Sequence, residues 1–334
     1  MSPPETKRRD PITGARHLLG ETSTFQKMEP FAKDYELKRI LDWCASVVGP
    51  CEVVSGDARF HGRTAVCRLA TLTGHCYLKI HQLKSFWERE VHAYEQWGPA
   101  FGAFAPNLLA VHENEPLALL VGELAGEPLE KRRLSARQTE AVWRDAGRAL
   151  AGLHAYAVGE RFGPCGRDGA CTGNSVGDAK DYILTELEHE ADRGLRAGYL
   201  NDDQLVIIRA AQYLAPAFAG ERPIPCHRDY GPANWLVTEE GIWAGVIDFE
   251  FAYWDVRVAD FSRYPNWEWM ERPDLLKAFF DGYGRPLTPK EEQQRLVMHV
   301  YYALGAIIWG HDHSYLGFAE EGRKALVQLA PLLQ

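Results

Sequence analysis

His227, Asp229 and Asn234 fall within the ten residues CHRDYGPANW (226–235), and Asp248 and Glu250 follow in VIDFE. Gly231 and Pro232 make the first stretch a turn-rich loop rather than the interior of a helix or strand. Nothing about folding stability calls for an imidazole, a carboxylate and a carboxamide in one turn. WLV (235–237) and WAGVID (243–248) read as two strands paired across the turn TEEG, which sets Asp248 at the end of the second strand, close to the loop holding Asp229 and Asn234. Two carboxylates and a carboxamide converging on one point suit a magnesium–nucleotide site. Asn234 and Asp248 offer hard oxygen ligands, and Asp229 can accept a proton from an attacking hydroxyl.

Elements that must position this loop are legible on either side of it. AKDYELKRILDWCASVV (32–48) carries apolar residues at helical spacing and ends at Gly49-Pro50. CEVVSGDARFHGRTAVCRLATLTGHCYLKI reads as short β-prone runs punctuated at Gly56-Asp57 and at Thr73-Gly74. SFWEREVHAYEQW (85–97) returns to helical period, and PNLLAVHENEPLALLVGEL gives two strands across a turn at Glu113–Pro116. From Ser135, a predicted N-cap, the pattern is helical past His154. Residues 159–177 are glycine-rich and predict an exposed loop. Further amphipathic helices precede the quoted loop and follow it to the C-terminus. The expected fold class is α+β: an N-terminal extension (1–30), a small antiparallel sheet with one main helix (31–124), and a large, mainly helical lobe (125–334).

Length and composition bound the partners. The 334 residues are 46% apolar, enough to bury a substantial core in one large domain or two lobes. A formal charge of −9 gives no global field toward nucleic acid or an anionic membrane. The polar, basic start lacks the apolar core of a secretory signal, and LVMHVYYALGAIIWG (296–310) is too short to span a bilayer and predicts a buried helix. Seven scattered cysteines fit reduced thiols, so a cytoplasmic protein is expected. Cys165 and Cys171 share one loop but lack the partner ligands of a zinc site. His311 to His313, in IIWGHDHSY, face both ways on a helix and read as a helix end rather than a ligand set.

The residues H-R-D-Y-G-P-A-N followed by I-D-F-E resemble the catalytic loop and metal-binding motif of the aminoglycoside phosphotransferase and choline kinase group, small-molecule relatives of the protein kinases. That loop usually reads H-G-D-x-x-x-x-N, so Arg228 stands where a glycine is common. The resemblance spans roughly residues 50–310 and implies a protein-kinase-like, two-lobed fold. It implies that Lys79 in CYLKI holds the nucleotide phosphates and that Glu90, rather than Glu88, orients it. Ser55, Gly56 and Gly62 would belong to a loop over the phosphates, although no clean glycine-rich signature is present. Backbone groups of Gly122, Glu123 and Leu124 would form the hinge that meets the base. His227 would stand in the catalytic loop in a mostly structural role, and Asp260, in VADFSRY, would brace that loop from behind. ALAGLH (149–154) resembles the end of the long helix of the second lobe.

These readings predict a Mg²⁺-dependent phosphotransferase that moves the γ-phosphate of ATP or GTP to a hydroxyl of a small molecule, as a monomer or homodimer. Residues 248–281 hold eight acids against four bases, interleaved with aromatics. They favour a cationic or sugar-bearing acceptor, an aminoglycoside-like or other natural-product antibiotic, met by Glu250, Trp267, Trp269 and Asp281. A metabolic alcohol or amino sugar is the alternative acceptor, and a nucleotide-binding scaffold without transfer activity the alternative class. A protein kinase is disfavoured, since no A-P-E motif and no room for a long activation segment follow Asp248.

Overall fold

The computed structural model describes residues 34–61, 64–173, 175–262 and 272–333. Gly62, Tyr264, Trp267, Trp269 and the expected 1–30 extension therefore lie outside the described residues. Five antiparallel strands form the first sheet, in the order β1-β2-β3-β5-β4: β1 Cys51–His61, β2 Thr64–Thr71, β3 Gly74–His81, β4 Leu108–His112 and β5 Ala118–Gly122. The period of two divides its faces. Cys76, Leu78 and Ile80 of β3, with Ala65, Cys67, Leu69, Ala118 and Leu120, close a small core with Ile40 and Cys44 of helix α1 (Asp34–Val48). The alternate residues, Tyr77, Lys79 and His81, therefore face the other way, toward α2 (Lys84–His92). Register carries Thr64, Val66 and Arg68 of β2 to the same face, opposite His81, Lys79 and Tyr77.

Gly56-Asp57 is not a hairpin turn. β1 runs through it with a register shift, Gly56 at φ +91° pairs with Cys67, and the connection to β2 falls after His61. A bulge and a turn share the same glycine signal, and only the partner strand distinguishes them. Beyond β5 a short strand β6 (Glu127–Pro128) leads to α3 (Ala136–Tyr156), whose N-terminus is closed by a capping box between Ser135 and Gln138. After β7 (Gly163–Pro164), α4 (Ala179–Arg196) and α5 (Asp202–Tyr213) come four short strands: β8 Ile224–Cys226, β9 Trp235–Val237, β10 Trp243–Val246 and β11 Tyr253–Asp255. The chain ends in α6 (Pro273–Tyr283), α7 (Pro289–Asp312) and α8 (Leu316–Leu329). The predicted apolar run lies in α7, buried from Val297 to Gly310. Its end carries His311 stacked on Tyr199 and His313 stacked on Trp309.

The 159–177 segment also departs from expectation. Phe162 and Cys165 are in the core, Phe162 bridges Val176, and β7 pairs with β11. Its glycines serve tight bends in a strap laid on the protein, and composition alone does not separate that from a free loop.

α3 and α6 meet backbone to backbone. A methyl group on Gly147 would stand 2.0 Å from the Phe279 carbonyl oxygen, and one on Gly282 would stand 1.8 Å from that of Arg144. This crossing sets Tyr283 against His154, two residues used below. Gly147→Ala or Gly282→Ala is therefore expected to force the helices apart at a cost of about 1–3 kcal/mol, despite alanine's better helix propensity. Thermal melts of the two variants check this, and an unchanged or raised Tm would refute the crossing.

Candidate active site

Lys79 is buried at the end of β3, and its ammonium meets carboxylates from two other elements. Nζ donates to Glu90 Oε1 of α2 at 2.5 Å and to Asp248 Oδ1 at 2.9 Å. Glu88, the alternative on the same helix, points away to Lys84. Burial opposes the charge on Lys79, but Asp248 and Glu90 outweigh it and hold the ammonium above its usual range. Burial likewise raises Glu90, but Lys79, with His81 behind it, brings that carboxyl below the ordinary glutamate value.

The sequence reading missed His81. Two residues beyond Lys79 on the same face, its Nε2 stands 2.9 Å from Glu90 Oε2, so the carboxylate is held from both sides. Strand periodicity was the signal that could have found it. Glu250 lies in the same buried cluster: one of its carboxylate oxygens, one of Glu90 and a ring nitrogen of His81 fall within 4.8 Å of one another. Thr64 Oγ1 of β2 donates to Glu250 Oε2 at 2.8 Å. Burial, and then the neighbouring Asp248, raise the Glu250 carboxyl above its usual value.

The loop from His227 to Asn234 is fixed from below by Asp260, in the 3₁₀ turn Arg257–Phe261. Its carboxylate accepts the backbone N–H of His227 at 2.9 Å and of Arg228 at 2.5 Å, while His154 Nε2 lies 2.9 Å away. His154 in turn meets the Tyr283 hydroxyl at 2.8 Å. The His227 ring is also locked. Its Nδ1 accepts from the Asp229 N–H at 3.2 Å, which leaves Nε2–H to donate to the Ile247 carbonyl at 3.1 Å. Tyr230 anchors the loop to α3 through the Ala146 carbonyl.

Two non-glycine residues here adopt left-handed backbone: Arg228 at φ +63° and Asp248 at φ +75°. Such conformations are costly for side chains and persist where surroundings impose them. Arg228 is held by the Asp260 bond, by a buried ion pair with Asp255 at 3.0 Å, and by the Tyr253 ring, 4.1 Å from its guanidinium carbon. Arg89 of α2 lies over the same ring at 4.5 Å and donates to the Glu250 carbonyl at 3.1 Å. Phe249, between Asp248 and Glu250, packs under Tyr94, Phe101 and His227.

Asn234 is fully buried, and its Nδ2 donates to the Asp229 carbonyl at 2.9 Å. Its Oδ1 has no hydrogen-bond partner among the described residues. A buried carboxamide oxygen left open fits a hard cation such as Mg²⁺.

The other expected residues stand in β1, at and just past the end of β5, and on α6. Gly122 N–H donates to the Asn107 carbonyl, and the Glu123 side chain turns onto the α2-side face of the sheet, where it pairs with Arg68 at 2.7 Å and meets the Tyr77 hydroxyl. Leu124 packs near Gly245. Ser55 sits beside the Gly56 bulge, opposite Arg68. Asp281 is on the surface of α6, paired with Lys277 and lining a groove with Phe280, Arg285 and Arg295. The structure does not bring it to Asp229. Of the eight acids in 248–281, Asp248, Glu250, Asp255 and Asp260 are buried within the site's scaffolding, and Asp274 and Asp281 pair with neighbours on their own segment. The described acids thus form no open anionic cleft.

Glu90→Gln should destabilise the protein by about 3–5 kcal/mol at neutral pH, because it leaves Lys79 with half of its buried charge compensation. Since folding lowers the Glu90 pKa, its contribution is present above the ordinary glutamate value and is lost as pH falls through the lower folded value. Denaturant unfolding of both proteins should show the gap narrowing only on acidification below pH ~4.5. A gap independent of pH would contradict the pairing.

Comparison with known proteins agrees with this geometry. The chain aligns over 165 residues at 33% identity with a homoserine kinase of Phenylobacterium zucineum (strain HLK1), and the match spans 46% of each chain, less than half of that relative's length. Among solved structures, aminoglycoside phosphotransferase APH(4)-Ia superposes with a TM-score of 0.67 at 16% identity, covering 90% of this chain and 99% of that one. A ternary complex of a thermostable APH(4)-Ia mutant with AMP-PNP and hygromycin B gives 0.67 at 14%, covering 87% and 97%. The gentamicin complex of APH(2")-IIa gives 0.60 at 16%, covering 87% and 95%. At these identities the likeness is one of fold, and that fold is protein-kinase-like. The family model of the phosphotransferase enzyme family (APH) matches residues 61–295, most of the chain and the whole of the site just described, so this protein belongs to that family.

Proposed function

We propose that this protein transfers the γ-phosphoryl group of a nucleoside triphosphate, ATP or GTP, to a hydroxyl of a small molecule. The observation that carries the reading is the junction of Lys79, Glu90 and Asp248 beside a catalytic loop whose Asn234 keeps an open buried oxygen. In this reading residues 31–124 form the nucleotide lobe and 125–334 the acceptor lobe. Lys79, oriented by Glu90 and His81, holds the α- and β-phosphates. The backbone around Ser55 and Gly56 lies over them, and that of Glu123 and Leu124 meets the base. Asn234 and Asp248 would hold Mg²⁺, which would neutralise charge between the β- and γ-phosphates. Asp229 positions the attacking hydroxyl and takes its proton late in the transfer. His227, Arg228 and Asp260 keep Asp229 in place without touching the reacting atoms. The chain's contribution is positioning and electrostatics, with little covalent chemistry.

For the acceptor, we favour a small metabolic alcohol of the amino-alcohol class. Two observations support this over an aminoglycoside. The described acids of 248–281 are already engaged by the protein, and the 33% identity is to a homoserine kinase, whereas likeness to the aminoglycoside enzymes is one of fold. An aminoglycoside-like antibiotic, the acceptor the sequence alone favours, becomes the second reading, supported by the near-complete coverage of those enzymes and by Trp267 and Trp269 in the sequence of 125–334.

The test is mass spectrometry of a panel (homoserine, choline, amino sugars, aminoglycosides and other natural-product antibiotics) incubated with protein, Mg²⁺ and ATP or GTP. One class of compound should gain a single phosphoryl group. Asp229→Asn should lower kcat by about 10²–10⁴-fold while nucleotide affinity stays within a few-fold of wild type. Nucleotide binding with no acceptor turned over would instead favour a scaffold, and labelled polypeptide a protein kinase.

A further inference from the structure

Cys165 and Cys171 face each other as an antiparallel bridge in the strap between α3 and α4. The flanking bonds define the register: Gly166 N–H donates to the Ala170 carbonyl at 2.9 Å, and Thr172 N–H to the Pro164 carbonyl at 2.8 Å. Bonds from the residues on either side, with none between the pair itself, make this a non-hydrogen-bonded site. There the Cα atoms approach to about 4.5 Å and both side chains leave on the same face. That separation lies inside the span a disulfide bridges without backbone movement. Both cysteines are thiols in this structure.

The tip they close is not idle surface. The Arg167 guanidinium forms a two-pronged pair with Glu95, one turn beyond α2, close to the ring of His92. A methyl group on Gly169 would lie 2.4 Å from that ring. The Gly169 carbonyl accepts from Trp254 Nε1 of β11 at 3.0 Å. The hairpin therefore touches the helix that carries Glu90 and the strand that carries Tyr253.

We propose that Cys165 and Cys171 are a redox-active dithiol whose oxidation to a cross-strand disulfide clamps this strap against α2 and β11. Cys171 is partly exposed and Cys165 is 2% exposed, which sets the order of events. With a small-molecule disulfide such as oxidised glutathione as oxidant, the Cys171 thiolate attacks one sulfur, breaks its S–S bond and expels one glutathione thiolate. The Cys165 thiolate then attacks the Cys171 sulfur of the mixed disulfide and expels the second. Two cysteine thiols lose two electrons, one glutathione disulfide is reduced to two thiols, and the two protons end on those thiols.

The full-length protein, treated with oxidised glutathione or with dithiothreitol, would be alkylated and cut with trypsin. Cleavage after Arg161, Arg167 and Lys180 puts the two cysteines on separate peptides, so the bond reads as a linked pair, 162–167 with 168–180. The expected result is that linked mass in the oxidised sample only, lost in Cys171→Ser, with the other five cysteines alkylated throughout. Hydrogen exchange across residues 84–97 should slow on oxidation and recover with dithiothreitol. Cys165 alkylated after oxidation, or glutathione retained on Cys171, would overturn the pairing. A disulfide that leaves exchange in 84–97 unchanged would overturn the clamp. Both measurements are independent of any phosphoryl acceptor.

Discussion

The site is organised around one buried cation. Lys79 comes from a strand of the first lobe, Glu90 from the helix laid against it, and Asp248 from the turn after β10 in the second lobe. A lone ammonium at that depth would be prohibitively costly, and two carboxylates there without it would repel one another. Each group is tolerable only because the others are present. The lobes are thereby indexed to each other at the point where phosphate chemistry is proposed. His81 and Glu250 extend the cluster, and Thr64 ties it back to the sheet.

A second buried carboxylate does for the loop from His227 to Asn234 what the lysine does for the cleft. Asp260 gathers two backbone N–H groups and an imidazole. The backbone it holds is strained: Arg228 is left-handed, a conformation that favours glycine. The arginine gains in return an ion pair with Asp255 and an aromatic face, contacts a glycine could not make. Strain next to Asp229 is thus offset by interactions that also fix where Asp229 points.

The buried cluster of Lys79, Glu90 and Asp248 and the turn-rich loop 226–235 beside it were legible in the sequence because their spacing is local and their residue types are unusual for a fold. Glu90 over Glu88 followed from the family resemblance of the Arg89-Glu90 step, since helix geometry says only that the two lie on opposite sides. His81, Arg89 and Asp255 were not read, although nothing hides them. Their partners are fixed only when three elements meet, and no local pattern reports a contact between residues 89 and 250. The glycine-rich strap failed for a related reason. Its burial is decided by β11 and α2, both far from it in sequence. The acidic stretch 248–281 misled because charge counts ignore which acids the protein uses for itself.

Tyr253 lies within 4.5 Å of two guanidinium carbons, Arg89 from α2 and Arg228 from the loop that holds Asp229. A guanidinium over a ring face is attracted by the ring quadrupole, more strongly where water is excluded. One side chain of β11 thus serves as a common anchor for the helix that carries Glu90 and for the loop that carries Asp229, so truncating that single ring would loosen both at once.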